Sequence, residues 1–439
     1  MKIKIIILLA VCFSSLNADY YLQSSTREPS KIDKMDKAVV GDMENIPQDL
    51  SYYAAKIKPI DYAKQKAQDD EYNKKYFNPW NIEALDINSR DFGWEARFVK
   101  SKPIYREDRS LYGANYYDYW IYNSAMWKYN TVKARAITVK RVDLKSLPMS
   151  DAYYRDPAQT GEGFPFDYNQ NSSYAINMPL FVSHYSVDGL WAFVHGAYAF
   201  GWVWKQDIAL VDDEFISKFR NGNYAITIED NLRLKNEATS ISLVKLGTIF
   251  PYDRDGYLFA TRDANGMAVL QKALPVTAGM IAKKPVAFTP ENIAKIATAF
   301  VNEPYGWGES CETRDCSALT RDFFAPFGIF LRRNSSQQAG DGTSISLEGL
   351  TKEEKKAKIL ANAVPFRSML FVPGHIVLYI GEYNNEPIVM HAYWGIRQKD
   401  YKKLITGRTI ITTTEPGKEM ENIRPESQLI ETLKEIISF

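Results

Sequence analysis

Residues 304–318 read Pro-Tyr-Gly-Trp-Gly-Glu-Ser-Cys-Glu-Thr-Arg-Asp-Cys-Ser-Ala, and downstream stand Gly374-His375-Ile-Val-Leu-Tyr-Ile-Gly381 and Met390-His391-Ala. A cysteine followed by two histidines is the order of a thiol nucleophile with a base and an orienting group. The chain has only 4 histidines and 3 cysteines. Two of each lie between positions 311 and 391, so the chemistry is expected there.

Leu319, Phe323 and Phe327 recur at helical spacing, and Asp315 is a natural N-cap, so Cys316 is expected in the first turn of a helix. The unpaired amides and positive dipole end there favour a thiolate. Taken alone, the same pattern fits a small buried cysteine on a core helix. The histidines change the weighing. His375 to Ile380 and Ile388 to His391 read as two strands joined through Asn384-Asn385. If His391 pairs opposite Val377, the two imidazoles share one face at a diagonal distance. A slip of one residue separates them.

Working outward, a helix is expected from Thr289 (N-cap) and Pro290, with Ile293, Ile296, Ala297 and Phe300 on one face. Another is expected over 351–362, where Thr351 and Glu354 form a capping box and a lysine-rich side marks a solvated insertion. Before these, residues 131–284 carry short β-type runs with turns between them, among them Trp191-Ala-Phe-Val194 after Asp188-Gly189 and Tyr257-Leu-Phe259 after Asp255-Gly256. Two such sets, each about 70 to 80 residues long, suggest two small barrels in tandem. Residues 76–129 are crowded with aromatics and read as a helical or mixed domain. Residues 19–70 are polar and read as part linker, part helix.

The first 18 residues have the pattern of a secretory leader: Lys2 and Lys4, an apolar run from Ile5 to Phe13, and Asn17-Ala18 before Asp19. The run is shorter than the roughly 20 residues of a membrane span, and Val11 before Cys12 argues against lipid attachment. Export to the periplasm or cell envelope is expected. Removing Lys2 and Lys4 takes 54 basic residues to 52, against 53 acidic. A near-neutral chain without basic tracts is not expected to bind nucleic acid. No paired Cys/His metal spacing and no phosphate-cradling glycine loop occurs, so no metal and no cofactor is expected. His184 and His195 read as structural, and Asp253 to Gly256 as a turn. The five-residue separation of Cys311 and Cys316 neither forbids nor favours a disulfide.

Tyr305-Gly-Trp307-Gly308, Asp315-Cys316-Ser317, Leu331-Arg-Arg333-Asn-Ser335-Ser336-Gln-Gln338, Gly374-His375 through Gly381 and Met390-His391-Ala resemble, in order and spacing, the NlpC/P60 family of papain-like cysteine peptidases over about residues 286–420. Stretches between Gly161 and Ser173, Asp188 to Val194, and Phe200-Gly-Trp202-Val resemble a bacterial SH3-like module. The resemblance implies a multidomain fold: leader 1–18, N-terminal linker and helical/mixed stabilising domain 19–130, SH3-like β-barrels 131–212 and 213–284, and an α+β papain-like peptidase domain 285–439. It implies that Cys316 is the nucleophile, His375 the base and His391 the orienting residue.

By the same resemblance the expected activity is hydrolysis of the γ-D-glutamyl–diamino acid bond of peptidoglycan stem peptides bearing a free N-terminal L-alanine, by a monomer. Tyr305 and Asp315 would bind that amine, and Ser317 with Ser335 or Ser336 the glutamyl portion. Two other readings stay open: a silent wall-binding scaffold, and a thiol amidase cutting between sugar and peptide. Glu309 and Ala318 stand where relatives carry glycine, and Glu309 is expected to put a charge near the cleft mouth.

Overall fold

A computed structural model describes residues 20–88, 91–159 and 161–439; the expected leader lies outside the described residues. The strands among the described residues form three sheets. One is seven-stranded, in the order Gln170–Tyr174, Val142–Lys145, Phe200–Trp204, Trp191–His195, Pro179–Tyr185, Ala134–Thr138, Ile208–Leu210. The ladder runs from first to last of these without a closing pair between the ends, so among the described residues this module is not a closed barrel.

The second sheet has eight strands, and its third is Tyr20–Ser24. That strand runs antiparallel to Leu232–Lys235 and parallel to Ala268–Pro275. The reading of residues 19–70 as part linker is thereby corrected. Leu22, Ile32, Val40, Leu50, Tyr53 and Ala54 are all buried, and short helices Asp42–Asn45 and Leu50–Ala54 precede a long one, Tyr62–Tyr76. The segment is a strap across the other domains. Asp42 accepts from the amide and hydroxyl of Thr413, both at 2.8 Å. Tyr76 and Trp80 donate to the backbone carbonyls of Asn177 and Ala136 at 2.9 and 2.7 Å. Asp69 pairs with Lys284 in the interior.

The C-terminal domain packs helix Cys316–Phe324 against the six-stranded third sheet. Helix Pro290–Thr298 begins as expected, with the Thr289 side chain accepting from the Asn292 amide. Helix Lys352–Asn362 has the expected capping box, but its lysine face is not wholly solvated. Lys355 donates to the carbonyls of Ile430 and Glu431, and Lys356 pairs with Glu386 and Glu415. One apolar cluster runs from Tyr53 and Tyr76 through Val182 and Ile226 to Phe323 and Met390. The modules therefore share a core.

Candidate active site

Five of the residues singled out by sequence line a cleft of about 830 Å³ where three domains meet; His375 and His391 stand outside that lining, behind Gly374, which is part of it. Its walls include Tyr305, Asp315, Cys316, Ser317 and Ser335 from the C-terminal domain, Gln170 and Tyr198 from the first sheet, and Asp86 and Trp94 from the N-terminal domain. Ser336 is exposed and lies outside the lining. Of the two candidate serines, Ser335 is the one in the cleft.

Cys316 is the first residue of its helix, and the Asp315 side chain caps it by accepting from the Ala318 amide at 2.9 Å. Cys316 retains 8% exposure. Burial, and then the Asp315 charge, push its thiol up to about 12, against the opposing amide of Ile376, the charge of Arg333 and the amide of Ser317. The expectation of a resting thiolate is thereby corrected. A helix start contributes roughly 0.3–2 kcal/mol to an anion, whereas desolvation moves buried groups by up to about 3–5 pH units. Desolvation wins. Cys311 is exposed and unpaired, so no disulfide joins the two.

His375 opens strand His375–Tyr383, and His391 lies within Glu386–Arg397. Their rings are linked through His375 Nε2 and His391 Nδ1 at 3.0 Å. His391 Nε2 reaches Thr412 Oγ1 at 3.2 Å, and Thr412 Oγ1 itself donates to the Thr413 carbonyl at 2.7 Å. A hydroxyl has one proton, so Thr412 must accept from His391 Nε2–H. His391 Nδ1 is then an acceptor, and His375 Nε2–H donates to it. His375 Nδ1 is left with its lone pair, the form a general base requires. Burial holds His375 at about 4 despite the Asp315 charge. Burial, and then His375, hold His391 well below the usual imidazole range. Both rings are neutral at pH 7. Thr412 carried no sequence signal, being one of several threonines in an ordinary strand.

Asp315 is already saturated. Its oxygens accept from the Gly308 and Ala318 amides, the Ser317 hydroxyl and both terminal nitrogens of Arg333, at 2.7 to 3.2 Å. A carboxylate offers about four lone-pair sites. An incoming ammonium ion would have to displace one of these donors. Tyr305 packs against Trp394 with centroids 5.8 Å apart.

Glu309 is not at the mouth; the expectation of an exposed charge is corrected. It is buried and forked onto Arg321 at 2.7 and 3.0 Å. Ser172 and Ser173 of the first sheet donate to it at 2.9 and 3.0 Å. Burial opposes its ionisation, but Arg321 and Arg333 hold it well below the usual carboxylate range. Arg333 then links Glu309, at 3.1 Å, to Asp315, at 2.7 Å. Gln170 adds a bond to the Gly308 carbonyl at 2.9 Å. The SH3-like sheet thus builds part of the wall beside Cys316. His195 lines the same cleft, while His184 is held between Ser183 and the Ser124 carbonyl.

Residues 302–411 match the NlpC/P60 family, residues 153–204 an SH3 domain of the SH3b1 type, and residues 5–129 the N-terminal NlpC/P60 stabilising domain. The chain accordingly carries an NlpC/P60 domain together with an N-terminal stabilising domain and an SH3b-type domain, and the NlpC/P60 family is one of cysteine peptidases and peptidoglycan hydrolases. An NlpC/P60 endopeptidase from Photobacterium damselae subsp. piscicida shares the fold, with TM-score 0.81 and 24% identity over 90% of this chain and 97% of that one. An NlpC/P60 family protein from Bacillus cereus ATCC 10987 is more distant, with TM-score 0.43 and 14% identity over 70% of this chain and 99% of that one. No curated protein matches the chain.

Proposed function

We propose that the chain is an exported cysteine endopeptidase cleaving the γ-D-glutamyl–diamino acid bond of peptidoglycan stem peptides. The observation that carries this reading is the Thr412–His391–His375 chain, which leaves one imidazole lone pair free on His375, next in sequence to Ile376, whose backbone amide meets the Cys316 thiol at its helix start. His375 Nδ1 takes the Cys316 proton as sulfur attacks the glutamyl carbonyl carbon. The carbonyl oxygen gains the charge and faces the Cys316 amide, one of the unpaired donors of the helix start. Collapse breaks the C–N bond, and the imidazolium passes its proton to the leaving amine. Water, deprotonated by the same ring, then hydrolyses the thioester and restores the thiol.

Ser317 and Ser335 line the glutamyl side. A free N-terminal L-alanine suits a cleft whose wall includes Asp86 and Trp94 of the N-terminal domain. Because Asp315 is saturated, the alanine ammonium is better served by Asp86, an exposed carboxylate in the cleft wall. Replacing Cys316 by alanine should abolish release of diaminopimelate from L-Ala-γ-D-Glu-diaminopimelate. Unchanged release would overturn the mechanism. Retained binding to sacculi by wild-type protein without any turnover would support the scaffold reading, and fragments cut at the sugar–peptide bond the amidase reading.

A further inference from the structure

A second pocket of about 350 Å³ lies between the N-terminal domain and the first sheet, away from Cys316. Its floor is the buried Trp202 with Leu147, and its wall carries Tyr122, Met126 and Trp127. Trp127 is 61% exposed and Tyr122 59%, with ring centroids 5.2 Å apart at 40°. Large aromatics this open, paired and set over a cavity offer an angled apolar surface on which a ring can pack. Glu95 stands against it and is only 7% exposed. Among the described residues no other residue donates a hydrogen bond to its carboxyl group, while the Arg97 charge favours its ionisation and the Asp91 charge opposes it. Desolvation raises it to about 8, so at neutral pH it is a carboxylic acid, able both to donate and to accept. At the rim Lys100 and Asp118 pair at 3.4 Å, so no net charge is offered.

We propose that this pocket binds an N-acetylated amino sugar of the glycan strand. A sugar ring has an apolar face for the indole and hydroxyls and an amide for a neutral carboxyl group and a rim ion pair. The volume falls at the low end for small-ligand sites, roughly 300–1,000 Å³, which suits one or two rings. An anionic ligand would call for a cationic cluster, and an apolar one would leave Glu95 unsatisfied. The choice of an amino sugar rests on the peptidoglycan reading. The position fits it: Trp94 lines the Cys316 cleft and Glu95, the next residue of helix Trp94–Ser101, lines this pocket. One helix separates a peptide site from a sugar site, as the polymer joins the two chemistries.

The test is calorimetric titration of the full chain with an N-acetylglucosamine tetrasaccharide and with peptide-free glycan strands, alongside tripeptide turnover. Saturable binding is expected, at least tenfold weaker in Trp127→Ala and in Glu95→Ala. Glu95→Gln, which keeps a neutral donor and acceptor, should bind within about threefold of wild type. Tripeptide turnover by Trp127→Ala should be unchanged, with thermal melting confirming the fold. No saturable binding, equal binding by Trp127→Ala, or displacement of the tetrasaccharide by the tripeptide would overturn the proposal. Loss of turnover in every form with sugar binding intact would instead overturn the peptidase reading alone.

Discussion

His375 and His391 meet because the hairpin between them carries one residue too many. Next to the turn, Gly381 pairs with Ile388 and Tyr383 with Glu386; beyond the bulge at Ile380, Tyr379 pairs with Val389 and Leu378 with Met390. Continued unbroken from the turn, the register would set His391 opposite Leu378 and throw His375 to the other face. The bulge restores the parity and sets His391 opposite Val377. Gly381, at φ +139°, is the backbone that permits it.

Gly381→Val should therefore cost more activity than its size suggests. A Cβ there meets only ordinary contact with Tyr53, 3.4 Å away, so the penalty is backbone strain of about 1–3 kcal/mol. Denaturant melts should show that loss. Turnover should fall by about 100-fold or more, the contribution of a general base. A melt shift with unchanged turnover would show that the bulge does not set the pair.

The pH profile follows from desolvation. The base works only when unprotonated, and His375 sits at about 4, so kcat/KM should be lost as pH falls through about 4 and not through 6.5. The thiol, at about 12, should place no alkaline limb near neutrality. An acid limb centred at 6.5 in a soluble-tripeptide assay would contradict the burial argument.

Thr412 acts through His391. Thr412→Val removes the acceptor that fixes the tautomer chain and should lower kcat about 10- to 100-fold with little change in KM, the size of effect seen when an orienting partner is lost. Thr412→Ser should restore most of it. A KM effect that serine does not rescue would indicate packing alone.

Glu309→Gln should destabilise strongly. It leaves Arg321 and Arg333 buried with less compensation, a loss on the order of 3–5 kcal/mol. The Ser172→Ala, Ser173→Ala double variant keeps the charges and should cost roughly 1–3 kcal/mol while still lowering kcat/KM. That variant reads out the cross-domain contact by urea melts and turnover.

Asp315→Asn should impair tripeptides with a free and an acetylated N-terminus to the same degree, since its oxygens serve Arg333 and the helix cap. A selective loss on the free-amine substrate would restore the ammonium role to Asp315. Asp86→Asn should show the selective loss instead.

The C-terminal site was the legible part. Cysteine and histidine are rare in this chain, Asp315 and Thr289 cap where their helices start, and the Asn384-Asn385 turn has both residues at positive φ. What escaped were features made by distant segments. Glu309 looks like a surface charge until Ser172, Arg321 and Arg333 are brought around it, and Tyr20–Ser24 lacks a strand-like context until its partners arrive. The thiolate expectation failed for a related reason: a helix start is visible in sequence, but the depth at which it is buried is not.

The placement of Tyr20–Ser24 bears on how the molecule comes to be assembled. Tyr21 faces Lys235 and Tyr20 faces Ala273, so the first described residues to be synthesised wait for some of the middle ones before they find a seat. Such long-range closure is slow. The seat is also an interior one, flanked on both sides, so loss of this single strand would bare the backbone edges of two others at once.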